Sequence, residues 1–193
     1  MRKLILTATI IAATATGIYA QPRAAGLRLG TTGIEADYQH EFSRDRFAEG
    51  NLGLDYGINA DNVPGIKATA VYNFVWARPA WTDKGSWALY AGPGVSLGYV
   101  SDDVHFKAGN EVIHYPDSGF MIGVCGQVGL EYTFWFPLQL SIDLRPCVGM
   151  HVNGGYRYTE PATNVQIKYD PRVGFYDNGL LGFAPSISVR YRF

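Results

Sequence analysis

Apolar and polar residues alternate along most of the chain, and this alternation limits the possible fold more than any other feature. In the last segment Ile187, Val189, Tyr191 and Phe193 alternate with small or basic residues. Successive side chains of a β-strand point to opposite faces, so this spacing gives one apolar and one polar face. A helix would place Ile187 and Tyr191 on the same side as Arg190. The sequence therefore predicts an all-β fold.

The same alternation recurs in seven upstream segments. We predict eight strands near residues 25–32, 34–42, 46–58, 66–78, 86–100, 119–135, 138–151 and 180–193. No Asp, Glu, Lys or Arg falls at the positions assigned to the apolar phase, although 17% of the chain is charged. One face of the predicted sheet is therefore free of charge along its whole length.

Two closed or layered architectures are compatible with this pattern. A soluble β-sandwich alternates too, but its polar face is wet and rich in Lys and Glu. Here the polar face is rich in Gly, Ser, Ala and Thr, and the apolar face carries aromatic residues towards the strand ends, such as Trp76, Trp87, Tyr132 and Phe193. Aromatic girdles mark membrane–water boundaries, and a sheet in a bilayer must close. We predict an eight-stranded antiparallel up-and-down transmembrane β-barrel.

The first residues have the pattern of a targeting signal. Arg2 and Lys3 precede an apolar segment over residues 4–18, and Ala20 stands where a signal peptidase would cut. We therefore expect a cleaved signal peptide over residues 1–20 and the barrel domain over residues 21–193. The net charge of −1 provides no basic field for nucleic acid.

Several stretches resemble the small outer-membrane-protein β-barrel domain family, the porin-like, OmpX/OmpA-like eight-stranded barrels of Gram-negative bacteria. They include residues 26–30 (GLRLG), 89–95 (LYAGPGV), 127–132 (QVGLEY) with 137–146 (PLQLSIDLRP), and the ending 187–193 (ISVRYRF). The resemblance implies a location in the cell outer membrane, contact with lipopolysaccharide, and insertion by the barrel assembly machinery. It also implies that Tyr191 and Phe193 form a membrane-insertion motif. It implies little about molecular activity.

Charged residues of the polar phase would face the barrel interior. They are Arg28, Glu35, Asp37, Glu41, Asp55, Lys67, Glu131, Asp143, Arg145, Arg190 and Arg192. Buried charges must be paired, and eight strands leave an interior just wide enough for side chains. We interpret the set as a structural salt-bridge network that fills the lumen. An ion path or acid–base site is the functional alternative.

The sequence offers little support for catalysis or a metal site. A lipid A-modifying enzyme would need a Ser with a His and an acid, and His151, near Glu160, has Asn153 where the deacylase pattern has Ser. His105 and His114, with Asp102 and Asp103, are a weak metal signal. We expect a non-enzymatic protein with no cofactor and no metal, with a lipid A-modifying enzyme or a narrow small-solute channel as alternatives.

Two long connections, residues 101–118 and 152–179, are expected on the extracellular side. Alternation on both sides of residues 108–110 predicts that the first projects as a hairpin. The second carries Tyr156, Tyr158, Tyr169, Phe175 and Tyr176. These aromatics suit contact with an extracellular protein or glycan, or packing over the barrel mouth.

Two cysteines lie in the inward phase of the sixth and seventh predicted strands. If Phe134 faces Leu138, paired residue numbers sum to 272 and Cys125 faces Cys147. Directly opposed Cα atoms lie within the range that a disulfide accepts, and the cell envelope is oxidising. A disulfide between Cys125 and Cys147 is therefore possible.

Three prolines, Pro93, Pro146 and Pro185, fall inside the predicted strands. Each removes a hydrogen-bond donor from the ladder, and a closed barrel has no edge strand on which to place it. We expect β-bulges beside these prolines.

Overall fold

The computed structural model describes residues 22–30, 33–55, 65–100, 103–108, 111–116, 119–159, 166–177 and 185–193. These residues form fourteen strands: β1 (Arg23–Gly30), β2 (Gly33–Ser43), β3 (Arg46–Asp55), β4 (Gly65–Ala77), β5 (Ser86–Val100), β6 (Asp103–Ala108), β7 (Glu111–Pro116), β8 (Gly119–Thr133), β9 (Leu138–Leu144), β10 (Cys147–Asn153), β11 (Tyr156–Thr159), β12 (Gln166–Tyr169), β13 (Arg172–Asp177) and β14 (Ser186–Arg192). Among the described residues no helix is long and apolar enough to cross a membrane.

The strands close into an antiparallel barrel. The sheet runs β8-β5-β4-β3-β2-β1-β14-β9, and β9 pairs back onto β8. The first and last strands of the wall, β1 and β14, meet where the amide of Phe193 donates to the carbonyl of Arg23 at 2.8 Å. Because β9 and β10 form two halves of one interrupted strand, both pairing with β8, the barrel wall has eight strands. The predicted eight-stranded antiparallel closed barrel is confirmed.

The two ends of the barrel differ in their connections. We call "termini end" the end where β1 begins and β14 ends; there the wall strands are joined across residues 44–45, 78–85 and 134–137. The opposite end is the "loop end". There β6 and β7 pair as the hairpin predicted within residues 101–118, and β11 pairs with β12. Residues 1–21, which include the predicted signal peptide, lie outside the described residues.

β13 is an element that the sequence did not predict. It lies within the long 152–179 connection and pairs with β10 from Val148↔Asp177 to Asn153↔Arg172. β10, the half of the seventh wall strand nearer the loop end, therefore has β8 on one side and β13 on the other.

The prolines are accommodated differently from the expectation, which placed bulges beside them. The register shifts lie instead between Glu41 and Ser43 and between Val75 and Ala77. Pro146 interrupts the predicted strand 138–151, and its carbonyl accepts a hydrogen bond from the amide of Gly126 at 3.0 Å. Pro93 pairs with the same Gly126 across β5 and β8 without a shift in that register. Pro185 precedes β14, so it removes no donor from that strand; the predicted strand residues 180–184 lie outside the described residues.

The barrel has a polar interior and an apolar exterior. Along β4, for example, Lys67 and Asn73 are buried, whereas Ile66, Phe74 and Trp76 are exposed. The sequence predicts this arrangement, with polar residues facing inward and apolar residues facing outward. The same arrangement is found in β2, β5, β8, β9 and β14. A lumen built from charged and amide side chains therefore takes the place of a hydrophobic core.

Candidate functional site

Glu49 lies at the centre of the charged lumen. Its carboxylate accepts hydrogen bonds from the guanidinium groups of Arg145 and Arg190, the latter at 3.0 Å. The amides of Asn51 and Gln127 donate to the same carboxylate at 3.1 and 3.3 Å. Only 1% of Glu49 is exposed. One carboxylate from β3 thus joins side chains of β8, of β14 and of the segment between β9 and β10.

Arg190, on the last strand, spreads its guanidinium over several partners. Its Nε donates to Asp37 at 2.6 Å, and its two terminal nitrogens donate to Ser141 at 2.9 Å and to Glu49 at 3.0 Å. Glu131 lies 3.8 Å away. Because Arg190 is fully buried, this set of partners replaces the water that its charge would otherwise require.

A second group of ion pairs lies on the loop-end side of Glu49. Arg28 pairs with Glu35 at 3.0 Å and with Asp143 at 2.8 Å. Glu35 also accepts from Arg145 at 3.1 Å and lies 3.9 Å from the ammonium of Lys67. Since Arg145 contacts both Glu35 and Glu49, the two groups form one continuous network.

Amide side chains extend the network towards the termini end. Gln139 donates to Gln39 at 2.6 Å, and Gln39 donates to Glu131 at 3.1 Å. On the other side of the lumen, Asn73 donates to Gln127 at 3.4 Å. These amides are uncharged, so they connect the ionised groups without changing the net charge of the lumen.

The buried charges nearly cancel. Among the residues whose burial the structure describes, five carboxylates (Glu35, Asp37, Glu49, Glu131 and Asp143) face four cations (Arg28, Lys67, Arg145 and Arg190), which gives −5 + 4 = −1 for ionised groups. Each of the nine has an opposite charge within 4 Å. A paired network of this kind can hold strands in register, because removal of one partner leaves another charge buried alone.

Sequence reasoning identified eight of these nine residues and missed Glu49. The parity of β3 could have identified it, because Glu49 shares the odd positions of Asp55, which the sequence analysis places in the interior. Arg192 stands apart from the network and pairs at 3.3 Å with the partly buried Glu41 near the termini end. The side chain of Asp55 lies outside what the structure describes.

The two cysteines meet inside the barrel. Cys125 on β8 faces Cys147 on β10 in the register whose numbers sum to 272. Their Cα atoms are 4.1 Å apart, and the sulfur atoms are joined in a disulfide. The bond links the wall strands next to the interruption at Pro146, where the ladder itself is broken.

A cavity of about 280 Å³ lies at the loop end between β10 and β13. It is lined by His151, Asn153, Arg172, Val173 and Gly174. Glu160, the acid expected near His151, lies outside the described residues, as do the side chains of the aromatics at 156, 158 and 169. In the second long connection Phe175 is exposed and Tyr176 is buried against Met121.

The structure gives no support to a metal centre where side chains are described. Within those parts of the chain, no three His, Cys, Asp or Glu side chains are placed to hold an ion. The side chains of His105 and His114 lie outside the described set.

Aromatic side chains form two levels on the outer surface of β5 and β8. Near the termini end Trp87 pairs with Tyr132, with ring centroids 4.5 Å apart. At the other end of the same strands Tyr99 pairs with Phe120. The outward pairs between the two levels are Leu89↔Leu130, Ala91↔Val128, Pro93↔Gly126, Val95↔Val124 and Leu97↔Ile122, all of them uncharged.

The termini-end level is the denser one. Trp81 packs on Trp87 at 5.4 Å, and Tyr132 packs on Phe134 at 4.6 Å. The ammonium of Lys84 lies 5.6 Å from the centre of the ring of Trp135.

Comparison with known proteins does not assign this chain to a family. No protein-family model matches the chain, and no curated protein matches it.

Proposed function

We propose that this protein is a non-enzymatic integral β-barrel of the Gram-negative outer membrane, which is either structural or displays its extracellular loops for recognition. The observation that carries the proposal is the uncharged outer surface bounded by two aromatic levels. Water would not favour so many exposed Leu, Ile, Val and Phe side chains on one continuous surface, whereas lipid would.

The spacing of the two levels supports the proposal. Trp87 and Tyr99 are 99 − 87 = 12 residues apart, as are Phe120 and Tyr132. At about 3.3 Å per residue this is roughly 40 Å of strand, and a tilt of about 40° reduces it to roughly 30 Å along the barrel axis. A bilayer has a hydrocarbon core about 30 Å thick, so both levels would lie at its boundaries.

The filled lumen favours a structural role over transport. Arg190, Gln139 and Asn73 are fully buried inside the barrel, and the network around Glu49 crosses it from wall to wall. A small-solute channel would have to break several of these ion pairs for each passage. Among the described residues that line the site around His151 there is no Ser, Thr or Cys, and the Nε2 atom of His151 has no hydrogen-bond partner in that part of the chain. A lipid A-modifying enzyme is therefore the less favoured alternative.

The proposed location also defines the partners. An outer-membrane barrel contacts lipopolysaccharide and other outer-membrane lipid, and it is inserted by the barrel assembly machinery. The resemblance of residues 26–30 and 187–193 to the small outer-membrane-protein β-barrel domain family supports this assignment. A cleaved signal peptide over residues 1–20 would provide export, and the loops at 101–118 and 152–179 would face an extracellular protein or glycan.

Cell fractionation tests the proposal directly. We expect the full-length protein, made in a Gram-negative cell, to be found in the outer membrane and to migrate differently on gels before and after heating. Lipid A mass spectra and planar-bilayer currents should be unchanged by the protein. Altered lipid A acyl chains would favour the enzyme, and discrete conductance steps would favour the channel. Recovery in the soluble fraction as a folded protein would overturn the membrane assignment.

A further inference from the structure

We propose that the cavity between β10 and β13 is a binding site for a phosphate group. The cavity, of about 280 Å³, lies at the loop end, outside the ion-pair network of the lumen. His151 is one residue from Val152, which pairs with Phe120. The site is thus at the depth of the aromatic level nearer the loops.

A buried polar atom without a partner is the first argument. His151 is 8% exposed and lines the cavity, yet its Nε2 atom has no hydrogen-bond partner in the described chain. A buried polar atom left unpaired destabilises a fold, which is why nearly all such atoms have partners. An acceptor in the cavity would receive a hydrogen bond from this nitrogen.

The chemistry of the remaining lining is the second argument. Arg172 lies directly opposite Asn153 in the β10–β13 register, two residues along each strand from the His151↔Gly174 pair. The amide of Gly155 donates to Oδ1 of Asn153 at 2.8 Å, which fixes the side chain and makes the other branch of its amide a donor. Among the described lining residues none is Asp or Glu. A guanidinium, an imidazole and an amide together select an anion, and a guanidinium matches phosphate oxygens in pairs.

The space for the ligand depends on Gly174. A Cβ atom placed there would meet only the backbone oxygen of His151, at 3.9 Å. The position is therefore open on the cavity side, and a larger side chain could enter the cavity without disturbing the β10–β13 pairing. The volume is near the lower limit of ligand pockets, which suits a phosphate and part of the group that carries it.

Titration of the full-length protein in detergent micelles tests the site. With the histidine rings labelled with ¹⁵N, inorganic phosphate is added at constant ionic strength against chloride. We expect the ring signal of His151 to shift and saturate, while that of His40, on the outer surface near the termini end, stays in place. A second titration uses micelles that contain a short-chain phosphatidic acid. Saturation with soluble phosphate identifies a soluble phosphate ligand, and saturation only with phosphatidic acid identifies a lipid headgroup.

Two variants and one control make the result specific. Arg172→Gln should weaken phosphate binding about tenfold or more, because it removes a charge-assisted hydrogen bond. Gly174→Val should abolish binding by filling the cavity. Arg78→Gln, at the termini end where Arg78 lies near Asp45, should bind as the parent does. Gel mobility before and after heating checks that each variant is folded. No saturable shift with either phosphate source, or equal binding by the folded Gly174→Val variant, would overturn the proposal.

Discussion

One carboxylate holds two guanidinium groups inside this barrel. Glu49 contacts Arg145 and Arg190, and neither cation has access to water that could replace it. We therefore expect Glu49→Gln to lower the free energy of unfolding by about 3 to 5 kcal/mol, the cost of breaking a buried ion pair from one side. Urea unfolding in lipid vesicles, followed by tryptophan fluorescence, measures this loss.

Glu41→Gln is the matched control for Glu49→Gln. It makes the same chemical change on a neighbouring strand, but Glu41 is partly exposed and pairs with the partly exposed Arg192. Its loss should be about 1 kcal/mol or less. Equal losses in the two variants would contradict a role for buried pairing in stability.

The charged interior was largely predictable from residue parity, and its pairings were not. Alternation assigns Arg28, Asp143 and Glu35 to one face, but it does not show which of them meet, because some of their contacts join strands that are far apart in sequence. Arg28 and Asp143, for example, are 115 residues apart and meet only when the barrel closes. The pattern of a single strand defines its inward positions, whereas the curvature of the whole wall determines which side chains meet.

At the scale of single elements, a substitution on the outer face of β9 can test whether lipid or water surrounds the barrel. Ile142 lies in mid-strand, is exposed, and pairs with Leu130 and Ile187. If the barrel spans a membrane, Ile142→Arg should cost about 2 to 4 kcal/mol of unfolding free energy near the bilayer midplane.

Val173→Arg is the control for depth, since Val173 faces outward on β13 and pairs with Val152 at the loop-end aromatic level. Arginine near an interface costs about 0 to 1 kcal/mol. Both losses can be measured by urea unfolding in vesicles of the same lipid. No loss at either position would indicate that water covers the outer surface.

The hairpin that carries the two cysteines gives a second prediction. Cys125 and Cys147 are 22 residues apart, and cross-linking a loop of this order stabilises a fold by about 3 kcal/mol. We expect the double variant Cys125→Ser, Cys147→Ser to form the same barrel with about that much less unfolding free energy. The parent protein, denatured without reductant, should expose no thiol to a labelling reagent. Two labelled cysteines would show that the bond had not formed.

Strand pairing was predictable where the connection was short. The register of β8 with β9 and β10 follows from the tight turn at residues 134–137, since one pair fixes all the others. The pairing of β13 with β10 had no comparable signal: its six residues, RVGFYD, alternate too briefly, and a long connection separates the two strands. The way in which the barrel accommodates Pro93 and Pro146 was not predictable either. Both prolines lie opposite the same residue, Gly126 on β8, and this arrangement depends on the pairing of three strands.

At the scale of the whole molecule, Phe193 takes part in the junction between β1 and β14 that closes the barrel. Phe193 is exposed, and its backbone exchanges two hydrogen bonds with Arg23. If the barrel is assembled in the outer membrane as proposed, deletion of Phe193 should lower the amount of folded protein there, because it removes both an exposed aromatic and this junction. Phe193→Tyr, which keeps the aromatic ring and the backbone, should assemble as the parent does. Heat-modifiable protein on gels measures assembly, and an undiminished amount after deletion would refute the prediction.

The position of Arg190 on the last strand has a consequence for the order of assembly. A ribosome makes Asp37 153 residues and Glu49 141 residues before it makes Arg190, the cation that binds both. Until β14 inserts between β1 and β9, two sheet edges stay open and Asp37 lacks this partner. The insertion of β14 therefore both completes the backbone hydrogen bonding of the barrel and supplies the cation for Asp37 and Glu49. A polypeptide that lacks β14 cannot form these contacts, so closure of the barrel and neutralisation of Asp37 both require this strand.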